Sequence, residues 1–225
     1  MAFPQITYET RYGAEISNNT SHSISLPTDM VEGDLILVLF AVDASETLTI
    51  NTGISGNNWN VAGSQATTPI TAGVFWKIAE GEGYDYLQID TTSEAASYIS
   101  YGITGFYVAD PIDISSVGTG SSTNMDPPSL TPSYDTRDYL WIVFGAMDGI
   151  VYATQAPNDF SDLVVGNNSY EDGCTCSSAT REYRYGSAYN PGTFTNNSGD
   201  WITYTIIINP TSVVGVEFTN FFYNK

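Results

Sequence analysis

Apolar residues along this chain gather in runs of strand length, separated by clusters of Gly, Pro, Asn and Asp, and no segment sustains a helical period. The pattern predicts strands over Gln5 to Arg11, His22 to Leu26, Asp34 to Val42, Thr47 to Asn51, Thr71 to Ala79 and Tyr86 to Thr91. Further strands are predicted over Tyr98 to Val108, Ile112 to Gly118, Tyr139 to Ala146, Ser161 to Val165, Thr180 to Gly186 and Ile202 to Ile208, with "VVGVEFTNFFYN" a further candidate at the end. Two of these strands nearly coincide in sequence. "EGDLILVLFAVD", from Glu32 to Asp43, and "RDYLWIVFGAMD", from Arg137 to Asp148, each run from a charged start through an apolar stretch to an aspartate.

The repetition extends outward. After each copy comes a polar loop with one large aromatic, Trp59 in "GNNWN" and Phe160 in "PNDFSD". Later in each half follows a strand of mixed aromatic and aliphatic residues, "SYISYGITGFYV" and "DWITYTIIINP". Two halves with one strand order, about residues 22–118 and 126–210, predict a single all-β domain over residues 1–225: an antiparallel, jelly-roll-like β-sandwich with a pseudo-duplicated strand order. Either half alone would bury only a thin core.

A strand on a simple sandwich alternates apolar and polar residues. These two do not. In "LILVLFAV" and "YLWIVF" both parities are apolar, so each strand requires a layer on its outer side as well. Leaving a large side chain wet there forgoes about 1.5–3 kcal/mol. A long loop, a terminal segment or another subunit would meet the requirement, and the expectation favours a symmetric oligomer, a homotrimer.

Composition narrows the partners. Lys+Arg of 6 against Asp+Glu of 25 gives a formal charge of −19, which repels a phosphate backbone and argues against nucleic acid. The same charge suits a highly soluble surface. The longest apolar run, Leu35 to Val42, is too short to cross a bilayer as a helix, and Met1 to Leu26 lacks a basic segment followed by an apolar one. The expectation is therefore a protein without a membrane partner, made in a cytoplasm.

Reactive chemistry is sparse. His22 is the one histidine, and no G-x-S-x-G elbow accompanies it, so it reads as a surface or strand-edge residue. Cys174 and Cys176, in "EDGCTCSSA", are too few for a zinc site and awkwardly spaced for a disulfide, which leaves two ordinary thiols in a loop. The acidic loops "EGEGYDY" and "YEDG" lack the spacing of a calcium loop and read as solvated. Triplets at Asn18, Asn19, Asn167 and Asn196 mark exposed turns. The expectation is a non-enzymatic protein with no catalytic residues, no metal and no cofactor.

Contact residues are easier to nominate. Trp76, Trp141 and Trp201 lie in or beside apolar strands and read as core, whereas Trp59, in its Gly/Asn loop, is the tryptophan to consider for a glycan contact. "TREYRYGSAYNPG" sets Arg181 and Arg184 beside Tyr183, Tyr185 and Tyr189, either as an interface anchor or as plain strand alternation. The chain ends carry Phe3, Tyr8 and Tyr12 at one side and Phe218, Phe221, Phe222 and Tyr223 at the other, either as contact arms or as completion of the sandwich.

The order "ISLPTDMVEGDLILVLFAVD", a Trp-bearing loop, "VFWKIAEGEGYDYLQI", "SYGITGFYVADPIDI" and "PPSLTPSYDTRDYLWIVFGAMD" resembles a family of β-sandwich structural proteins of tailed viruses and related bacterial surface proteins. The resemblance runs from Ile24 to Pro210 and carries no catalytic signature. It implies a virion component, a capsid decoration (cement) subunit bound to the major capsid protein or other virion subunits; the other reading is a carbohydrate-binding or adhesive fibre module.

Overall fold

The computed structural model describes residues 2–14, 18–56, 58–81, 85–166 and 173–211. The first half of the chain forms β1 (Gln5–Ile6), β2 (Arg11–Ala14), β3 (Asn19–Ile24), β4 (Leu35–Val42), β5 (Thr49–Ile50), the single turn α1 (Thr52–Ser55), β6 (Asn60–Ala66), β7 (Thr71–Ile78), β8 (Leu87–Glu94) and β9 (Ala96–Thr104). The second half forms β10 (Ile112–Ile114), β11 (Gly118–Ser122), β12 (Arg137–Asp148), β13 (Ala153–Gln155), β14 (Ser161–Gly166), β15 (Cys174–Tyr185), β16 (Thr195–Asn196) and β17 (Gly199–Ile208). Among the described residues no helix is long and apolar enough to cross a membrane.

The two halves trace the same path. The first sheet runs β1-β9-β4-β7-β6, with β2 also on β9, and the second runs β10-β17-β12-β15-β14, with β11 also on β17. All pairings are antiparallel, and the matching strands β4 and β12 sit at the two centres. The strands of the halves do not interleave; each half supplies its own sheet. Because β10 and β11 pair with β17, the second repeat begins at Ile112, earlier than the sequence pattern suggested.

Leu35, Leu37, Leu39 and Ala41 of β4 face Leu140, Ile142, Phe144 and Ala146 of β12 across one buried core that joins the sheets. The other parity faces outward, and the chain itself covers it. Ile36, Val38, Phe40 and Val42 pack beneath a three-stranded layer, β3-β8-β5, which contributes Ile24, Leu87 and Ile89. Tyr139, Trp141, Val143 and Met147 pack beneath the β13–β16 pair and the chain around Met125 and Phe194. The architecture is thus four layers deep. The expectation that companion subunits cover these faces is corrected: local segments do so, and the apolar strands give no reason for an oligomer.

Two further corrections follow from the same packing. His22 does lie on an edge strand, β3, but not at the surface: it is buried, its Nε2 lies 2.7 Å from the Thr91 hydroxyl, and its ring sits 5.7 Å from that of Phe40. Cys174 and Cys176 are not loop thiols. Both lie on the inward face of β15, fully buried and unbridged, with Cys176 Sγ 3.3 Å from the Ser97 carbonyl. Burial pushes both thiols up, that of Cys176 to about 12. A thiol so held is neither ionised nor reachable. Native protein at pH 8 is therefore expected to resist iodoacetamide, and protein in urea to take up one label at each cysteine; rapid native labelling, read by intact mass, would contradict this placement.

Candidate functional site: an arginine–tyrosine face on the second sheet

The end of β15 alternates. Arg181, Tyr183 and Tyr185 project to the outer face of the second sheet, while Glu182 and Arg184 project to the other. The register with β12 sets Trp141 opposite Arg181, Tyr139 opposite Tyr183 and Arg137 opposite Tyr185. Just past the strand, Tyr189 is held by reciprocal backbone hydrogen bonds with Leu130, 3.0 and 3.1 Å long, so it belongs to the cover over this face.

These side chains form a column. The Arg181 guanidinium lies 3.9 Å from the Tyr183 ring centre and 5.1 Å from that of Tyr189. Tyr183 stacks on Tyr185 at 5.0 Å with 17° between planes, and Tyr189 meets Tyr185 edge-on at 6.0 Å and Trp141 edge-on at 5.3 Å. Arg181 Nη1 donates to the Tyr189 hydroxyl and reaches Asp159 at 3.6 Å. At the other end of the strip Arg137 stacks over Tyr134 at 4.6 Å, and the Tyr134 hydroxyl donates to Asp110 at 3.0 Å. Burial raises the Tyr189 phenol above its ordinary value, with Arg181 opposing, and burial together with the Asp110 hydrogen bond raises Tyr134. The hydroxyls therefore stay protonated at neutral pH and present donors.

The repeat supplies an internal comparison. In the first sheet Lys77 of β7 stands opposite Ile36 as Arg181 stands opposite Trp141. Lys77 is buried, with Nζ 3.0 Å from Asp85 and 3.3 Å from Glu80, beneath the segment that follows β7. The cation is sealed in one half, 3% exposed, and half-buried in the other, 18% exposed. Glu80 and Asp85, acidic residues of "EGEGYDY", thus pair with the lysine, and the expectation that this loop is solvated is corrected at Asp85, whose side chain is 4% exposed; Glu80 is held below its ordinary range by hydrogen bonds from Asn58 and then Lys77. Among the described residues no group of three His, Cys, Asp or Glu is placed to hold a metal.

The nominated residues separate clearly. Arg181, Tyr183 and Tyr185 are gathered into the face. Arg184 is on the opposite side, 3.2 Å from Asp138. Phe3 lies half-buried ahead of β1, Tyr8 donates to Asp34 at 2.5 Å, and Tyr12 on β2 is exposed, so these three line the β9 edge of the first sheet. Phe218, Phe221, Phe222 and Tyr223 lie outside the described residues, as does most of "YEDG". Trp59 is corrected: it is buried under the first cover, and its Nε1 donates to the Tyr86 carbonyl at 2.8 Å, so it offers no surface to a glycan. Asn196 is likewise buried, with its Oδ1 accepting from Met125 N–H at 2.8 Å. Sequence reasoning grouped Tyr189 with Tyr183 and Tyr185 but missed Arg137 and Tyr134 as members of the face, because only the β12–β15 register brings them there.

No family model matches this chain, and no curated protein or solved structure is detectably similar to it.

Proposed function

We propose that this chain is a non-enzymatic structural subunit of a virion surface, a capsid decoration or cement protein, that attaches to a neighbouring subunit through the arginine–tyrosine face of its second sheet. One observation carries the reading: a prestacked, half-buried Arg181–Tyr183–Tyr185 column stays partly accessible where its Lys77 counterpart is closed off. Tyrosine and arginine are the residues enriched where proteins meet, and rings already fixed by one another lose little entropy on contact. The sequence-order resemblance supplies the virion setting.

What supports a protein contact over a sugar contact is the engagement of the rings. A pyranose stacks on a free aromatic face. Here Tyr183 is occupied by the Arg181 guanidinium and by the stacked Tyr185 ring, so its faces are already engaged. Whether the neighbour is a major capsid protein or a second copy, as in a homotrimer, is a matter for solution mass measured across salt concentrations. Gold-labelled antibody against this chain is expected to decorate assembled particles at many positions over the shell; label confined to a tail tip, or absent from particles, would overturn the assignment.

A further inference from the structure

On a chain this acidic every cation has carboxylates to choose from. Arg11 takes Glu9 at 3.0 Å, Lys77 takes Asp85 and Glu80, Arg181 takes Asp159, and Arg184 takes Asp138. Arg137 is the exception: among the described residues no carboxylate oxygen lies within ion-pairing distance of it, and no hydrogen bond to its guanidinium is formed. It is nonetheless held in place. Its guanidinium lies over the Tyr134 ring, 4.6 Å from the centre, the Tyr134 hydroxyl is fixed by Asp110, and its backbone is locked opposite Tyr185 in the sheet. A guanidinium held against a ring, with no carboxylate on its N–H groups, is ready for a bidentate carboxylate.

We propose that Arg137 is the anchor for an acidic side chain of the docked protein, and that the strip from Arg137 through Tyr185 and Tyr183 to Arg181 receives an extended acidic segment of that partner. This rests on the docking role of the face and names the chemistry of what docks. Arg137 stands opposite Tyr185, and Arg181 lies four residues back along β15, so the backbone positions that carry the two arginines are offset by about 13 Å along the strand direction. An extended peptide places residues i and i+4 at that same spacing and on the same side. Two carboxylates four apart thus meet both arginines, with the intervening side chains over the tyrosine edges. Arg181 is shared with the exposed Asp159, so it is the weaker of the two anchors until that carboxylate is displaced.

The remaining charge of the chain opposes an acidic partner at long range, but at about 0.15 M salt charges beyond about 8 Å are largely screened. The test is a fluorescence-polarisation titration of the intact protein, in that salt, with a labelled extended peptide carrying two glutamates four residues apart. Saturable binding is expected, lost for the same peptide with glutamines. Arg137→Gln should weaken it at least about tenfold, Arg137→Lys by a smaller factor because the fork is lost, and Arg184→Gln not at all. Asp159→Asn should tighten it by releasing Arg181. Equal binding of the glutamine peptide, indifference to Arg137→Gln at an unchanged melting temperature, or no saturable binding would each overturn the proposal. If the peptide fails while tyrosine variants of the face still lose their particle attachment, the docking face stands and its acidic partner does not.

Discussion

Replacing Lys77 by alanine is expected to cost the fold about 3–5 kcal/mol, the range for breaking a buried ion pair from one side. The Lys77 and Asp85 side chains are 3% and 4% exposed, so removing the ammonium leaves a carboxylate in a site almost without water. Asp85 also accepts the backbone N–H groups of Glu80 and Gly81, at 3.0 to 3.2 Å, and the neighbouring Trp59 indole is tied to the Tyr86 carbonyl. The pair therefore fastens the segment that seals the first sheet. Replacing both partners by apolar residues, often neutral for a buried pair, should recover only part of the loss, because those backbone donors would remain orphaned. Denaturant unfolding reads the difference, and a loss below about 1 kcal/mol would place the pair at the surface.

Phe144→Ala is expected to cost about 3–5 kcal/mol, and Leu39→Ala about 2–5 kcal/mol. The two residues hold corresponding positions on β12 and β4, and both are fully buried where the sheets meet. Phe144 also lies nearly parallel to Tyr204, with 9° between planes and 6.5 Å between centres. Because one core joins the halves, each substitution should lower the midpoint of a single transition rather than split it. Chemical denaturation followed by both near- and far-ultraviolet dichroism checks this. Two separated transitions would mean that the halves are independent domains.

The duplicated core was legible because the strong signals are local: strand-length apolar runs and a repeated lead-in fix β4 and β12, whose doubled apolar parity correctly demanded outer layers. What supplies those layers was not legible. β3, β5 and β8 were readable as strands but not as the cover of β4, and β13 and β16, three and two residues long, carry too little apolar content to be read at all, so they gain stability from where they dock rather than from their own composition. The same reason hid β6, "NVAGSQA", an edge strand with little apolar content, and the first half of β15, where "CTCSSA" resembles a loop yet lies fully buried. Small side chains there let the sheets approach: Gly166 lies where an added Cβ would sit 2.8 Å from Ser97 Oγ. Of the contact face, the alternation of Arg181, Tyr183 and Tyr185 could be read along the strand. Arg137, Tyr134 and Tyr189 join through strand register and long-range bridges, and Trp59 misled because a Gly/Asn loop does not reveal which way its one large ring folds back.

The central proposal, that the half-buried arginine–tyrosine column is where this protein attaches to a virion, is tested most directly by cosedimentation with the assembled particle. Wild-type protein and a Tyr183→Ser, Tyr185→Ser double variant would be compared after each is shown to keep its unfolding midpoint. The account predicts that the variant stays folded and is left in the supernatant. Equal recovery of both in the particle fraction would contradict it.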